Sequence, residues 1–151
     1  MQNRDLELLA HALAEARVGR DEGGVPIGAA LIADDETVLG VGHNRRVQEG
    51  SAIKHGETDA LENAGRLHAS MYGRSTMYTT LSPCDMCTGA ILLYGIPRVV
   101  IGENRTFMGG EDYLRARGVE VVNLDSQECV DLMNEFIAAH PEIWNEDIGE
   151  E

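Results

Sequence analysis

Two short runs carry the reactive side chains of this sequence: His55-Gly56-Glu57 and, further along, Pro83-Cys84-Asp85-Met86-Cys87. One imidazole and two thiolates fill three tetrahedral positions on Zn2+ and leave the fourth for water, which is the donor set of a catalytic rather than a structural zinc. Zinc brings the pKa of its bound water to near neutrality, so a nucleophile is available without strong base. Two thiolates and a neutral imidazole also cancel the formal charge of the metal. Glu57 is not needed as a ligand and can carry protons, as hydrolytic loss of an amino group requires.

Taken alone, a C-x-x-C pair fits a redox dithiol or half of a structural zinc site equally well. A structural site needs a fourth Cys or His at ligand spacing, and the remaining cysteine, Cys129, lies far downstream in an apolar stretch. A redox pair has no use for His-x-Glu. His11, His43, His68 and His140 have no partners at ligand spacing and read as surface or hydrogen-bonded residues. Cys129 reads as a packed helix residue with an unreactive thiol.

Rigid elements must hold these donors. Cys84 to Tyr94 reads as a helix, and Pro83, with no N–H to leave unsatisfied, suits its first turn. Cys84 and Cys87 then point the same way at a positive helix end that favours thiolates. His55 opens a second helix whose Ala60, Leu61, Ala64 and Leu67 share one face, with its end expected between Leu67 and Ser70. Leu6, Leu9, Leu13 and Ala16 mark a first helix from Leu6 to Val18, stopped by Gly23-Gly24. Gly28 to Ala33 and Thr37 to Val41 predict an antiparallel hairpin around Asp34-Asp35-Glu36. The second half alternates: strands at Thr76 to Leu81, Arg98 to Gly102 and Val119 to Leu124, with helices near Glu111 to Arg117 and from Gln127 to Ala139. Strands alternating with helices imply a parallel run between helical layers, joined here to the hairpin, hence an α/β fold with a mixed five-stranded sheet.

At 151 residues and 43% hydrophobic, the chain can bury one substantial core. No linker or repeat divides it, so residues 1–151 read as one domain. No apolar run is long enough to span a bilayer, and Met1-Gln2-Asn3-Arg4-Asp5 lacks the layout of a signal peptide. A cytoplasmic location is expected, and three cysteines with two committed to metal suit a reducing compartment. Twelve basic against 26 acidic residues give a net charge of −14, and Lys54 is the only lysine. A nucleic-acid partner is disfavoured because no basic stripe is present to release phosphate counterions. Arg45-Arg46, with Arg115 and Arg117, read as solvated surface arginines. The acidic excess fits a high-salt cytoplasm, where screening removes self-repulsion, and equally an ordinary acidic protein.

The sequence resembles the fungal-type cytosine deaminases of the cytidine deaminase-like zinc superfamily. The resemblance runs through Glu22-Gly23-Gly24-Val25-Pro26-Ile27-Gly28, Gly42-His43-Asn44, His55-Gly56-Glu57, Thr79 to Ala90, Tyr94-Gly95-Ile96-Pro97-Arg98, Gly102-Glu103-Asn104, and Trp144 with Glu146 to Glu150. It implies a homodimeric three-layer α/β/α sandwich with one zinc per subunit, converting free cytosine to uracil and ammonia in pyrimidine salvage. By the same resemblance His55, Cys84 and Cys87 hold the metal and Glu57 is catalytic. Asn44 hydrogen-bonds the pyrimidine carbonyl and Asp147 accepts from the ring or amino group. Gly56 and Cys84 offer backbone N–H groups, Ser82 offers a carbonyl to the leaving amine, and Phe107 and Trp144 close over the base. Residues 141–151 become a C-terminal lid.

Read without the resemblance, Asn44 is a turn residue whose side chain bonds nearby backbone, and Trp144 could simply dock an acidic tail. An aromatic cover with one acceptor is nonetheless what a small planar polar ligand needs. Ile53-Lys54 depart from the family pattern just before the zinc histidine, so Lys54 is a residue that could alter which ring substituents are tolerated. Rival readings are deamination of isocytosine, guanine or a pterin, deamination of adenosine in tRNA, and a zinc-stabilised assembly protein without catalysis.

Overall fold

The computed structural model describes residues 2–151. Helix α1 runs from Gln2–Asp21 and ends where Gly23, at φ 88°, takes the left-handed conformation that closes a helix. The strands β1 (Gly28–Ala33) and β2 (Val38–His43) follow as the expected hairpin, whose turn places Glu36 at φ 70° and lets Asp35 accept from the Thr37 N–H at 3.0 Å. A one-turn helix α2 (Arg46–Glu49) interrupts what reads as loop in the sequence, and α3 spans Gly56–Ala64. The order continues with α4 (Ala69–Tyr72), β3 (Ser75–Leu81), α5 (Asp85–Leu93), β4 (Arg98–Glu103), α6 (Glu111–Ala116), β5 (Glu120–Asn123), α7 (Gln127–Ala139) and α8 (Pro141–Asp147).

The sheet has five strands in the order β2-β1-β3-β4-β5. β1 is antiparallel to both β2 and β3, while β3, β4 and β5 run parallel, so the sheet is mixed as the element pattern implies. Alternation along β1 sends Ala30 and Ile32 to one face and Ala29 and Leu31 to the other. The first face meets Leu9, Ala12, Leu13 and Ala16 of α1 and Cys129 and Leu132 of α7. The second meets Ala60 of α3, Ile91 of α5 and Leu114 of α6. Three layers result. A third, smaller cluster gathers Val25, Ile27, Leu81, Met133, Phe136 and Trp144 at one end of the sheet and seats α8.

Helix α3 is shorter than its apolar pattern implies. Gly65, at φ 84°, breaks it after Ala64, and Leu67 reaches the same core from the following turn. β2 and α3 are nearly in backbone contact: a Cβ on Gly40 or Gly42 would overlap the main chain of α3 at Ala60 and Ala64 or at Asp59 and Ala60. In α1, Leu6 faces solvent, and the buried position one residue earlier is the acid Asp5. Helical periodicity alone does not reveal this, because the partner of Asp5 comes from a distant strand. Arg98 donates to both Asp5 oxygens at 2.8 and 2.7 Å, and the Tyr78 hydroxyl donates at 3.1 Å, tying α1 to β4 and β3.

The Arg98 guanidinium holds the Asp5 carboxyl below its ordinary range, against the opposing effect of burial and with help from Tyr78. Asp5→Ala leaves the part-buried Arg98 guanidinium with only the exposed Glu120 beside it and should cost about 2 kcal/mol, the scale of hydrogen bonds to charged groups, seen as a lower midpoint in thermal melts at pH 7. A depressed folded pKa contributes stability that is complete above the unfolded value, about 3.9. It is lost as pH falls through the folded value. The gap between wild type and Asp5→Ala should therefore narrow when the melts are repeated at progressively lower pH below about 4.

Candidate active site

The two reactive runs meet because both begin helices at the same end of the sheet. His55 is the N-cap of α3 and Cys84 the N-cap of α5, each with extended backbone, at φ −80°, ψ 172° and φ −70°, ψ 177°. Thr58 fixes the start of α3 by accepting from the His55 N–H at 2.9 Å. Gly56, the first residue of that helix, packs on the main chain of Gly28 and Ile27. Early N–H groups of a helix have no intrahelical acceptors, so Gly56 and Cys84 offer donors and a positive end to the space between the helices.

His55 Nδ1 lies 3.3 Å from Cys84 Sγ and 3.8 Å from Cys87 Sγ, and the three donor atoms all fall within 4.8 Å of one another. Tetrahedral zinc with Zn–S of about 2.3 Å and Zn–N of about 2.0–2.1 Å requires N···S separations of about 3.5 Å. The donor set fits zinc. The other ring nitrogen, His55 Nε2, meets Asp147 Oδ1 at 3.3 Å. A proton on Nε2 directed to that carboxylate leaves the Nδ1 lone pair facing the sulfurs, which is the ligating tautomer.

The surrounding charges draw a cation to this ring. Burial works against a charged His55 ring, yet Asp147 and the Cys84 sulfur outweigh it and raise its pKa to about 10. Cys84 is brought down to about 4, first by its hydrogen bond with Cys87 and then, against burial, by His55. Cys87 is pushed well above its ordinary range by the neighbouring Cys84 and by burial. Glu57, 3% exposed, is raised to about 7 by burial and by the charge on Cys84. Acceptors crowded around one imidazole attract positive charge, whether a proton or a metal ion.

His55, Glu57 and Cys84 line a small cavity of about 20 Å3 together with Ser82, Asp147, Phe107, Trp144 and Ile148. Phe107 and Trp144 meet edge to face, with centroids 5.9 Å apart at 88°. Asn44 is the turn residue that its type suggests. Its Oδ1 accepts from the Arg46 N–H at 2.9 Å, as in an Asx turn, and this turns Nδ2 inward, where it donates to Asp147 Oδ1 at 3.1 Å. Every site residue expected from the sequence thus lies in or beside one small volume.

Lys54 does not. Its ammonium pairs with Glu49 at 2.9 Å and Glu62 at 3.6 Å, outside the cavity lining, so it has no contact through which to select ring substituents. The arginines read as plain surface are also engaged. Arg45 Nε bonds buried Asp59 at 2.9 Å, and Arg46 Nε pairs with Glu146 of α8 at 3.0 Å across the mouth of the site. The contact of Asp147 with His55 is a feature that sequence reasoning missed. No local pattern links residues so far apart, although an acid beside a lone aromatic near the end of the chain was a usable signal. His43 is buried between Glu15 and Glu22, at 2.9 and 2.8 Å, and Cys129 is packed in the core with its thiol pushed up to about 11 by burial.

Residues 2–103 match the family model described as the cytidine and deoxycytidylate deaminase zinc-binding region. The chain is 60% identical over 146 residues to a cytosine deaminase of Candida albicans, covering 97% of each. It is 36% identical over 108 residues to a tRNA-specific adenosine deaminase of Streptococcus pyogenes, covering 70% of this chain and 67% of the relative. A solved guanine deaminase from Nitrosomonas europaea superposes with a TM-score of 0.69 at 24% identity, over 86% of this chain and 82% of that one, a likeness of fold.

Purified wild-type protein should carry about one zinc per chain by elemental analysis, the stoichiometry of a single three-donor site. Cys87→Ser should lose nearly all of it at neutral pH, and metal retained by that variant would exclude Cys87 as a ligand.

Proposed function

The chain belongs to the cytidine and deoxycytidylate deaminase zinc-binding family, and from that membership we infer that it deaminates free cytosine hydrolytically to uracil and ammonia. The observation that carries this reading is the make-up of the site. His55, Cys84 and Glu57 share one cavity with two aromatic rings, Phe107 and Trp144, and with the Asp147 carboxylate, a lining that suits one small planar polar ring. The identity of 60% to a cytosine deaminase along nearly the whole chain agrees with it.

His55, Cys84 and Cys87 hold the metal. Zinc, when bound, activates water as a nucleophile at neutral pH. Glu57 manages the protons: its buried carboxylate takes one from the attacking water and places it on the ring nitrogen beside the amino-bearing carbon, then takes the second from the same oxygen and delivers it to the amine, which leaves as ammonia while the carbon–nitrogen bond breaks and the carbonyl forms. Asn44 Nδ2 donates to the pyrimidine carbonyl and Asp147 accepts from the ring or amino group. The two side chains are hydrogen-bonded to each other in the closed site, so the base takes over a ready donor and acceptor. Gly56 and Cys84 contribute N–H groups, and the Ser82 carbonyl faces the leaving amine. Phe107 and Trp144 cover the ring. A cavity of about 20 Å3 has room for about one water, so α8 and the rest of 141–151 act as a lid that must yield for the base, and product release contributes to turnover.

Relatives named for action on tRNA are similar in sequence and fold. Here the mouth of the site carries Asp85 and Glu146, and its one arginine, Arg46, is already paired with Glu146. Such a rim repels phosphate.

The reading extends to a cytoplasmic homodimer in pyrimidine salvage, with the acidic surface suited to high salt. Among the described residues no helix is long and apolar enough to cross a membrane. An apolar groove lined by Leu61, Leu67, Tyr72, Leu93 and Tyr94, away from the zinc donors, supports a second copy as its cover, since Leu93 is 75% exposed.

Ammonia release by zinc-loaded protein offered cytosine, isocytosine, guanine, adenine, cytidine and tRNA side by side should show strong preference for cytosine. Preference for another substrate would sink that assignment. Glu57→Gln should keep its zinc and lose turnover by about 10^3-fold, within the range of general acid–base catalysis. Leu93→Asp should sediment as a monomer where wild type sediments as a dimer.

A further inference from the structure

Glu111 has no part in the reaction as described, yet it is 1% exposed and carries an acid into the core beside the site. Its partners form a chain of fixed direction. Ser82 Oγ lies 2.6 Å from Glu111 Oε2 and 2.9 Å from the Gly109 N–H. The N–H can only donate, so the single hydroxyl proton of Ser82 goes to Glu111. From the other side, Asn104 Nδ2 donates to Glu111 Oε1 at 3.2 Å, and Asn104 Oδ1 accepts from Asn123 Nδ2 at 3.1 Å. Asn123 Oδ1 in turn accepts from the Asp125 N–H at 3.0 Å. Glu111 is the acceptor on which both branches end.

What these bonds fix is the wall of the base site. Phe107 sits in the segment between Asn104 and Glu111. That segment is pinned at its near end by Glu103, which accepts from the Thr106 N–H at 3.0 Å. At its far end the Ser82 hydroxyl holds Gly109, and the Pro83 carbonyl accepts from the Gly110 N–H at 3.0 Å. Ser82 itself borders the cavity and directly precedes the Pro83-Cys84 turn. We propose that Glu111 is a positioning residue for base binding: through the Ser82 hydroxyl it locks the Phe107 segment onto the strand end that leads into the zinc turn, setting Phe107 against Trp144. This rests on the reading of Phe107 as part of the base site.

A carboxylate accepts on both sides, and glutamine does not. With its oxygen toward Asn104, a glutamine must donate its amide to Ser82 Oγ, which reverses that bond, leaves the Ser82 hydroxyl proton without Glu111 as its acceptor, and gives up both the charge-assisted bond and the pairing with Arg115 at 3.6 Å.

The test compares Glu111→Gln and Ser82→Ala, the second removing only the hydroxyl and keeping the backbone carbonyl, with wild type and with Asp5→Ala as a core variant remote from the site. Expected in both test variants is a KM for cytosine raised about tenfold, a modest share of what misplaced positioning groups can cost. For Glu111→Gln changes in kcat should stay below about twofold, and zinc content should be unchanged in both variants. Trp144 is the only tryptophan, so emission at longer wavelength and greater quenching by acrylamide should accompany the KM change without substrate present. Asp5→Ala should lower the melting temperature with neither effect. A KM within about twofold of wild type in a folded Glu111→Gln or Ser82→Ala protein overturns the proposal, whatever the loss of stability. If Glu111→Gln does not fold, Ser82→Ala decides alone. Wild type inactive on cytosine would overturn the functional reading instead, and the Trp144 emission would still decide whether Glu111 sets this wall.

Discussion

Acceptors that repel one another must be buried together, and the architecture follows from that constraint. Cys84, Cys87, Glu57 and Asp147 gather around His55 in a largely buried space. Such a group of anionic and lone-pair-bearing atoms is tolerated in a core only with compensating positive charge. Two helix N-termini supply part of it, and the metal supplies the rest. The raised pKa of His55 and the depressed pKa of Cys84 express the same demand in protons.

Meeting that demand fixes the layers. α3 and α5 must begin within a few ångströms of each other, so β2 has to lie nearly on the main chain of α3, and glycines at 40 and 42 make this possible. The parallel arrangement of β3 and β4 directs α5 across the sheet and places the Ser82-Pro83-Cys84 turn at a strand end, where ligands bind in open α/β sheets. The other face, with α1 and α7, is ordinary packing apart from Asp5, whose ion pair with Arg98 anchors the N-terminal helix to the sheet.

Closure of the site is a separate task assigned to the end of the chain. α8 contributes Trp144 to the small end cluster, Glu146 to a pair with Arg46, and Asp147 to both His55 and Asn44. One short helix therefore touches Phe107 through Trp144 and both Asn44 and the His55 ring through Asp147. Displacing it would loosen these contacts together.

Much of this was legible without coordinates. Spacing of two or three residues determines how donors project from one helical turn, so His55, Glu57, Cys84 and Cys87 were identifiable from local pattern, as were the hairpin and the alternating second half. The glycine at 65 stopped α3 ahead of its apolar pattern because a left-handed residue ends a helix whatever follows it. The inward-facing Asp5, the engagement of Arg45 and Arg46, the withdrawal of Lys54, the grip of Asp147 on His55 and the link from Glu111 to Ser82 were decided only by tertiary structure. Each pairs groups far apart in the chain, and a buried polar residue looks like an exposed one until its partner arrives. The sequence by itself determined which atoms can bind metal and move protons, since that is a property of residue type and short-range geometry. Tertiary structure decided how those atoms are oriented, enclosed and charged, since these depend on contacts that no local interval encodes.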